Sequence, residues 1–196
     1  MVKINLDDGR AMVKFARKAI ESHFTGAEMK APWAIKDILK KDKGVFVTLK
    51  VHPGKDIRGQ MGYTDGIMEL SRSLPEAAES AAFRDYRFPP LRKSELKTTL
   101  IEVSMLTKPK PAKGDPLGEI EIGKHGLIVS DGNSKGILLP QLAVERGWSP
   151  REFLSRTCMR GHLESDVWRE QGTEIYTFNA ETFAEEKPGG KISRVK

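Results

Sequence analysis

The sequence predicts an α+β fold: a largely antiparallel, barrel-like sheet with flanking helices, arranged in two subdomains. Three observations carry the prediction. Strand patterns arrive as hairpins, "GVFVTLKV" followed by "IRGQMGY" and then "LIVSDGNSKGILL". No strand–helix–strand rhythm of the kind that builds parallel sheets runs along the chain, and no G-x-G-x-x-G opens a helix. The order is helix, hairpin, helix, strand, then strands, hairpin, two helices and a strand, which suits an antiparallel sheet with helices on its faces.

The elements follow in order. "LDDGRAMVKFARKAIESHF" opens on Asp7 and Asp8, residues suited to cap a helix, and Met12, Phe15, Ala16, Ala19 and Ile20 recur at helical spacing. A loop with Pro32 and Trp33 follows. In "GVFVTLKV", Val45, Val47, Leu49 and Val51 alternate with Phe46, Thr48 and Lys50, the period of a strand. "HPGKD" is a turn, and the strand from Ile57 to Tyr63 closes a hairpin. "SLPEAAESAAF" reads as a helix capped by Ser73 with Glu76 three residues on, set off by Pro75 from a turn at 67–71. Its alanines at 77, 78, 81 and 82 form a face that can approach a sheet closely. "RDYRFPP" is a loop, and "TTLIEVSML" is a strand with Ile101, Val103 and Met105 on one face.

"TKPKPAKGDP" reads as an extended connector at 107–117 between lobes at about 8–106 and 118–186. Beyond it, "LGEIEIGKHGLIV" predicts two strands around a Gly123–Gly126 turn, and Asp131-Gly132 is a hairpin tip. Pro140 opens a short helix. "SPREFLSRTCMRG" is strongly punctuated, with Ser149 as cap, Pro150 at the first helical position, Glu152 closing the box and Gly161 as the stop. "TEIYTFN" is a late strand, and residues 187–196 read as a basic, flexible tail. The two halves share a hairpin, then helices, then a strand, the pattern an internal duplication leaves.

Composition narrows the function classes. With 196 residues, 38% hydrophobic and 31% charged, a soluble folded protein is the default. No apolar run approaches the roughly 20 residues that span a bilayer, and the first residues show no apolar leader. A single cysteine makes no internal disulfide, so the expected compartment is the cytoplasm. The net charge of +6 suits anionic metabolites, nucleic acid or acidic partners, but 33 basic residues stand against 27 acidic ones and the basic runs are short.

No metal or cofactor is expected. His23, His52, His125 and His162 form no paired-ligand motif, and Cys158 with His162 supplies two ligands where zinc takes three or four. Cys158 reads as a small buried hydrophobe rather than a nucleophile. The candidate ligand site is Arg58, Gly59, Gln60, Gly62, Arg87 and His125. Strict alternation puts Arg58 and Gln60 on one face, with Gly62 leaving that face open and Gly59 letting the other pack tightly. Arginine offers a planar fork for carboxylate or phosphate, and Gln60 adds a neutral donor and acceptor. The competing reading is a β-bulge whose arginine bridges to an acid. Arg87 lies on a loop stiffened by Pro89-Pro90, with a surface ion pair as its alternative. His125, in "GKHGL", is the weak acid/base candidate, or it bonds its own turn.

"RGQMGY", "DYRFPP", "GKHGL", "LLPQLAVERGW" and "EFLSRTC" stand in the order and spacing of the AMMECR-type domain, which this chain resembles over about residues 8–186. That family takes its name from the AMME chromosomal region candidate gene product. The family's L-R-G-C-I-G appears as Ile57-Arg58-Gly59-Gln60-Met61-Gly62, so Gln60 replaces a thiol with an amide that cannot act as one. Its D-P-R-F appears as Asp85-Tyr86-Arg87-Phe88, and its C-x-K-A-G-L as Cys158 to Leu163 with changes. The resemblance implies a two-subdomain α+β fold with a cleft between, no settled activity, and a pathway shared with Memo-like and radical-SAM proteins. The function expected is an inter-lobe cleft that grips an anionic or nucleotide-like group. An RNA-binding module and a non-catalytic docking domain are the alternatives.

Overall fold

A computed structural model describes residues 4–54 and 56–195. Residues 1–3, Lys55 of the "HPGKD" turn and Lys196 of the expected tail lie outside the described residues. Two compact units divide the chain: residues 1–106 together with 181–196, and residues 107–180.

The first unit opens with α1 (Leu6–Thr25). Its cap is Asn5, whose Oδ1 accepts from the Asp8 backbone N–H at 2.8 Å. Asp7 and Asp8, expected as caps, occupy the first turn, where negative charge meets the positive helix end. A 3₁₀ turn (Trp33–Ile35) and α2 (Lys36–Leu39) lead to β1 (Val45–Val51) and β2 (Ile57–Tyr63), an antiparallel pair. The next helix, α3 (Leu70–Phe83), corrects the sequence reading: it starts a turn earlier than expected and carries Pro75 inside it. Leu70 and Leu74 are fully buried, and burying the earlier turn outweighs the one ladder bond that proline removes. Ser73 is therefore no cap, and its hydroxyl is buried without a partner. After a 3₁₀ turn (Lys93–Lys97), β3 (Thr99–Leu106) pairs antiparallel with β1.

The second unit begins where an extended connector was expected. That stretch contains β4 (Lys110–Pro111) and α4 (Pro116–Glu119). The predicted strand "LGEIEI" is replaced by α4, because Asp115 caps Leu117 N and Pro116 takes the first helical position, a start signal stronger than four alternating residues. Next come β5 (His125–Ser130), β6 (Lys135–Leu138), α5 (Pro140–Arg146), α6 (Pro150–Arg160) and β7 (Glu174–Glu185). Helix α6 has the reciprocal Ser149–Glu152 box that the sequence announces. The hairpin β5–β6 turns at Asp131, whose Oδ1 accepts from the N–H groups of Asn133 and Ser134. Strands β4 and β5 both pair antiparallel with β7.

The chain's last stretch belongs to the first unit, where β8 (Ile192–Arg194) pairs antiparallel with the end of β7. Within the stretch that composition marks as a tail, residues 192–194 form this strand. Ile192 is buried, and Arg194 donates to Glu181 at 2.8 Å and to the Ile4 carbonyl, while Ile4 N–H donates back to Glu181. One apolar anchor and a closed ring of hydrogen bonds hold a segment that composition alone marks as loose.

Each unit has its own core. In the first, α1 and α3 bury Met12, Ala16, Ile20, Leu74 and Ala78 against Val47, Leu49, Ile101 and Val103. In the second, Leu127, Val129, Phe153, Leu154 and Cys158 pack together. The fold is thus α+β with antiparallel sheet pairing and flanking helices. No helix among the described residues is long and apolar enough to cross a membrane.

Candidate functional site

One face of β1 and β3 packs its apolar residues against helices, and the other, where Phe46 and Leu100 stand beside Thr48, Lys50, Glu102 and Ser104, is buried too. Cross-strand register aligns Gln60, Thr48 and Glu102 in one row, all buried. Gln60 Nε2 donates to Thr48 Oγ1 at 3.1 Å. Two residues along β1, Lys50 Nζ meets Glu102 Oε2 at 3.1 Å, an ion pair with both side chains under a tenth exposed. Ser104 and Thr182 share a hydroxyl–hydroxyl bond of 2.9 Å.

At the edge of this face the hairpin register slips. Leu49 pairs with Gly59 but Lys50 pairs with Ile57, so Arg58 is the extra residue of a β-bulge. The strict alternation read from sequence fails at this point: Ile57, not Arg58, lies opposite Lys50. Gly59 is required by helix α3, because a Cβ there would run into the Ala81 carbonyl oxygen. Gly62 does not open a wall. The space a Cβ would take is filled by the Val45 carbonyl and by Phe46.

The arginine so released reaches back to the turn at Lys93–Lys97. Arg58 Nε donates to Glu95 Oε1 at 2.8 Å and Nη2 to Oε2 at 3.2 Å, a fork-to-fork pair. Its third nitrogen, Nη1, is buried with no partner. Arg58 thus stands on a β-bulge and bridges to an acid. Arg87 is likewise paired. Its Nε and Nη2 donate to the two oxygens of Asp85 at 2.8 and 2.6 Å, and Nη2 also donates to the Gln60 carbonyl at 3.2 Å. Asp85 is almost fully buried and further accepts from the backbone N–H groups of Gln60 and Arg87. Both cations lie near Phe88, with the Arg58 and Arg87 guanidinium carbons 6.0 and 5.2 Å from its ring centre.

The two carboxyls titrate low for different reasons. Burial pushes Asp85 up, but the hydrogen bonds from Arg87 and the backbone N–H groups, with the guanidinium charge, carry it below its ordinary value. The Arg58 hydrogen bonds hold Glu95 down directly, against a smaller effect of burial.

Arg58, Gly59, Gln60, Gly62 and Arg87 all belong to the first unit, and His125 to the second. His125 opens β5, and its Nδ1 lies 3.1 Å from the Glu119 carbonyl and 3.2 Å from the Glu121 N–H. One asks for a proton and the other for a lone pair, so a given tautomer serves one of them; either way the ring bonds its own turn. Cys158 is buried, which raises its thiol pKa away from reactivity. Among the described residues no group of three or more His, Cys, Asp or Glu is placed to hold a metal ion.

Sequence reasoning missed Asp85, Glu95 and the Lys50–Glu102 pair. For Lys50 and Glu102 a signal existed: each alternates with core residues on a strand flanked by apolar positions. For Glu95, in an irregular "KSELK" turn, none did.

Comparison with known proteins completes the picture. The AMMECR1 family model matches residues 13–183. A protein of Aquifex aeolicus is 41% identical over 191 residues, covering 96% of this chain and 98% of the relative. One from Methanopyrus kandleri is 43% identical over 195 residues, covering 97% and 94%. The crystal structure of an uncharacterised protein from Pyrococcus horikoshii superimposes with a TM-score of 0.90 at 40% identity, covering 95% of this chain and 96% of that one. With the family model matched over residues 13–183 and this similarity along nearly its whole length, the chain belongs to the AMMECR1 family.

Proposed function

We propose that the chain binds an anionic or nucleotide-like ligand at the Arg58–Phe88–Arg87 cluster, within a modification pathway that includes Memo-like and radical-SAM proteins. One observation carries the reading. Two guanidiniums lie within about 6 Å of the centre of one aromatic ring, each paired with a carboxylate, and one Arg58 nitrogen is buried without a partner. A fixed guanidinium meets an anion without first losing rotamer freedom, and a ring beside it offers a flat surface to a planar group. The cluster is not sealed: the Arg87 and Glu95 side chains are 23% and 32% exposed. The pathway placement rests on the family resemblance. Gln60 at the family's cysteine position, buried and bonded to Thr48, argues for binding rather than thiol chemistry at that point.

Native mass spectrometry of freshly purified full-length protein tests this, followed by thermal-shift titration with inorganic phosphate and a nucleoside monophosphate. The expected result is a carried mass or a saturable stabilisation of modest salt dependence, lost in Arg87→Ala. Binding of an RNA oligonucleotide that weakens steeply with salt supports the nucleic-acid alternative instead. Neither ligand nor RNA, with a co-purifying protein, supports the docking alternative. Either result overturns the proposal.

A further inference from the structure

The Arg58 fork already holds a carboxylate, and the way it is held carries information about what else could sit there. Glu95 presents both oxygens to Nε and Nη2 at 2.8 and 3.2 Å. Its side chain is nearly three times as exposed as that of Arg58, 32% against 12%. It sits on a five-residue 3₁₀ turn, Lys93–Lys97, that contributes no buried residue. The arginine is anchored on the bulge and lies beside Phe88; the glutamate is the more exposed half of the pair. Besides the arginine, the carboxylate is held by one backbone donor, the Arg92 N–H at 2.8 Å. Nη1 faces no acceptor while Glu95 is in place.

We propose that Glu95 is an internal stand-in for the ligand: Arg58 exchanges the Glu95 carboxylate for the carboxylate of an incoming molecule, which also reaches Nη1. This deepens, and rests on, the ligand-binding reading above. A carboxylate is favoured over a phosphate because the partner already held is itself a planar two-oxygen edge in fork geometry, the match arginine makes best. The exchange also explains how a pair that is closed in the free protein can serve a binding site. Glu95 acts as a competitor that keeps weakly fitting anions out, and a ligand with more than its carboxylate to offer displaces it.

The test uses the full-length protein and free glutarate, whose end repeats a glutamate side chain, against inorganic phosphate. Arginine Nε–H signals are followed by NMR, with Arg58 assigned by the loss of its signal in Arg58→Lys and Arg87 in Arg87→Lys. The expected result is a saturable shift of the Arg58 signal with glutarate in the wild-type protein. In Glu95→Gln the same shift should appear at about tenfold lower concentration, the gain from removing a competitor that fills the fork about nine-tenths of the time. A wild-type Arg58 signal that glutarate leaves unmoved overturns the exchange, whatever Glu95→Gln does, so a variant that fails to fold does not shelter the idea. Equal affinity in wild type and Glu95→Gln marks Glu95 as a plain strut and also overturns it. Phosphate acting at lower concentration than glutarate overturns the carboxylate class. Movement of Arg87 alone leaves the binding site standing and removes only the exchange; no movement of either arginine removes both.

Discussion

Replacing Asp85 with alanine should be among the most damaging single changes in the first unit. The carboxylate accepts four hydrogen bonds: two from the Arg87 fork at 2.8 and 2.6 Å, one from the Arg87 N–H at 3.2 Å and one from the Gln60 N–H at 2.8 Å. In Asp85→Ala the Gln60 N–H, inside strand β2, loses its acceptor in a buried place, a cost of about 1–3 kcal/mol. The Arg87 guanidinium loses its counter-charge. Breaking a fully buried pair costs about 3–5 kcal/mol, but Arg87 is 23% exposed and keeps some water, which places its share at the lower end. The two losses overlap, and a total of about 4 kcal/mol follows rather than their sum.

At about 2–4 °C per kcal/mol for a chain of this size, the melting temperature should fall by about 8–16 °C. Because the chain has two units, a global midpoint can mix two events. Hydrogen exchange of the peptide spanning β2, read beside urea denaturation by circular dichroism, isolates the affected unit. Asp85→Asn keeps one oxygen for Gln60 and should lose about half as much. If Asp85→Ala costs under about 1 kcal/mol and β2 exchanges as in the wild type, Asp85 does not organise this site and the account of Arg87 as a pre-set cation fails.

Three further expectations follow from the same contacts. Gly59→Ala, which forces a Cβ against the Ala81 carbonyl of α3, should destabilise by about 1–3 kcal/mol in urea unfolding, since backbone cannot step aside as a side chain can. Lys50→Met should cost about 3–5 kcal/mol while Lys50→Met with Glu102→Leu recovers most of it, because removing one member of a buried ion pair costs more than replacing both by apolar groups; a double variant as weak as the single would refute this. Asp85 and Glu95 are both depressed on folding, so their stabilisation is complete above their unfolded values near pH 4 and drains away as pH falls through the lower folded values. Urea midpoints between pH 6 and 2.5 should therefore drop less steeply below pH 4 in Asp85→Asn than in the wild type, and parallel curves would contradict the assignment.

Much of this fold is written in local rules. Helix α6 is announced by Ser149, Pro150 and Glu152, and β1 by its unbroken alternation, because in both cases local and tertiary preference agree. The departures have a common physics. Pro75 looks like a boundary until two buried leucines before it are counted, and residues 192–194 look frayed until Glu181 and Ile4 are brought beside Arg194. Each is a long-range contact overriding a short-range signal. The site follows the same division. Arg58, Gln60 and Arg87 stand out by residue type, and the structure does gather them, but their partners Glu95 and Asp85 arrive from a turn and a loop whose approach no period encodes. The slip at Arg58 is itself illegible, because a bulge obeys the pairing strand and the helix above it more than its own sequence.

The partners change what the basic character of the chain can mean here. Arg58, Arg87 and Lys50 each meet a carboxylate, so the +6 of the whole chain does not accumulate at this face. An anion arriving beside Arg58 with Glu95 still in place meets a carboxylate as well as a cation. At about 4 Å and the effective dielectric near a protein surface, that repulsion is about 4 kcal/mol, close to a thousandfold in affinity. An anion that takes Glu95's place meets none of it, and the glutamate regains water on a turn that is already largely exposed. Addition is therefore the poor route and substitution the good one. A charge-balanced site of this kind selects by the shape of the group that replaces the internal carboxylate rather than by the strength of its field, and binding there should depend on salt far less than the chain's net charge suggests.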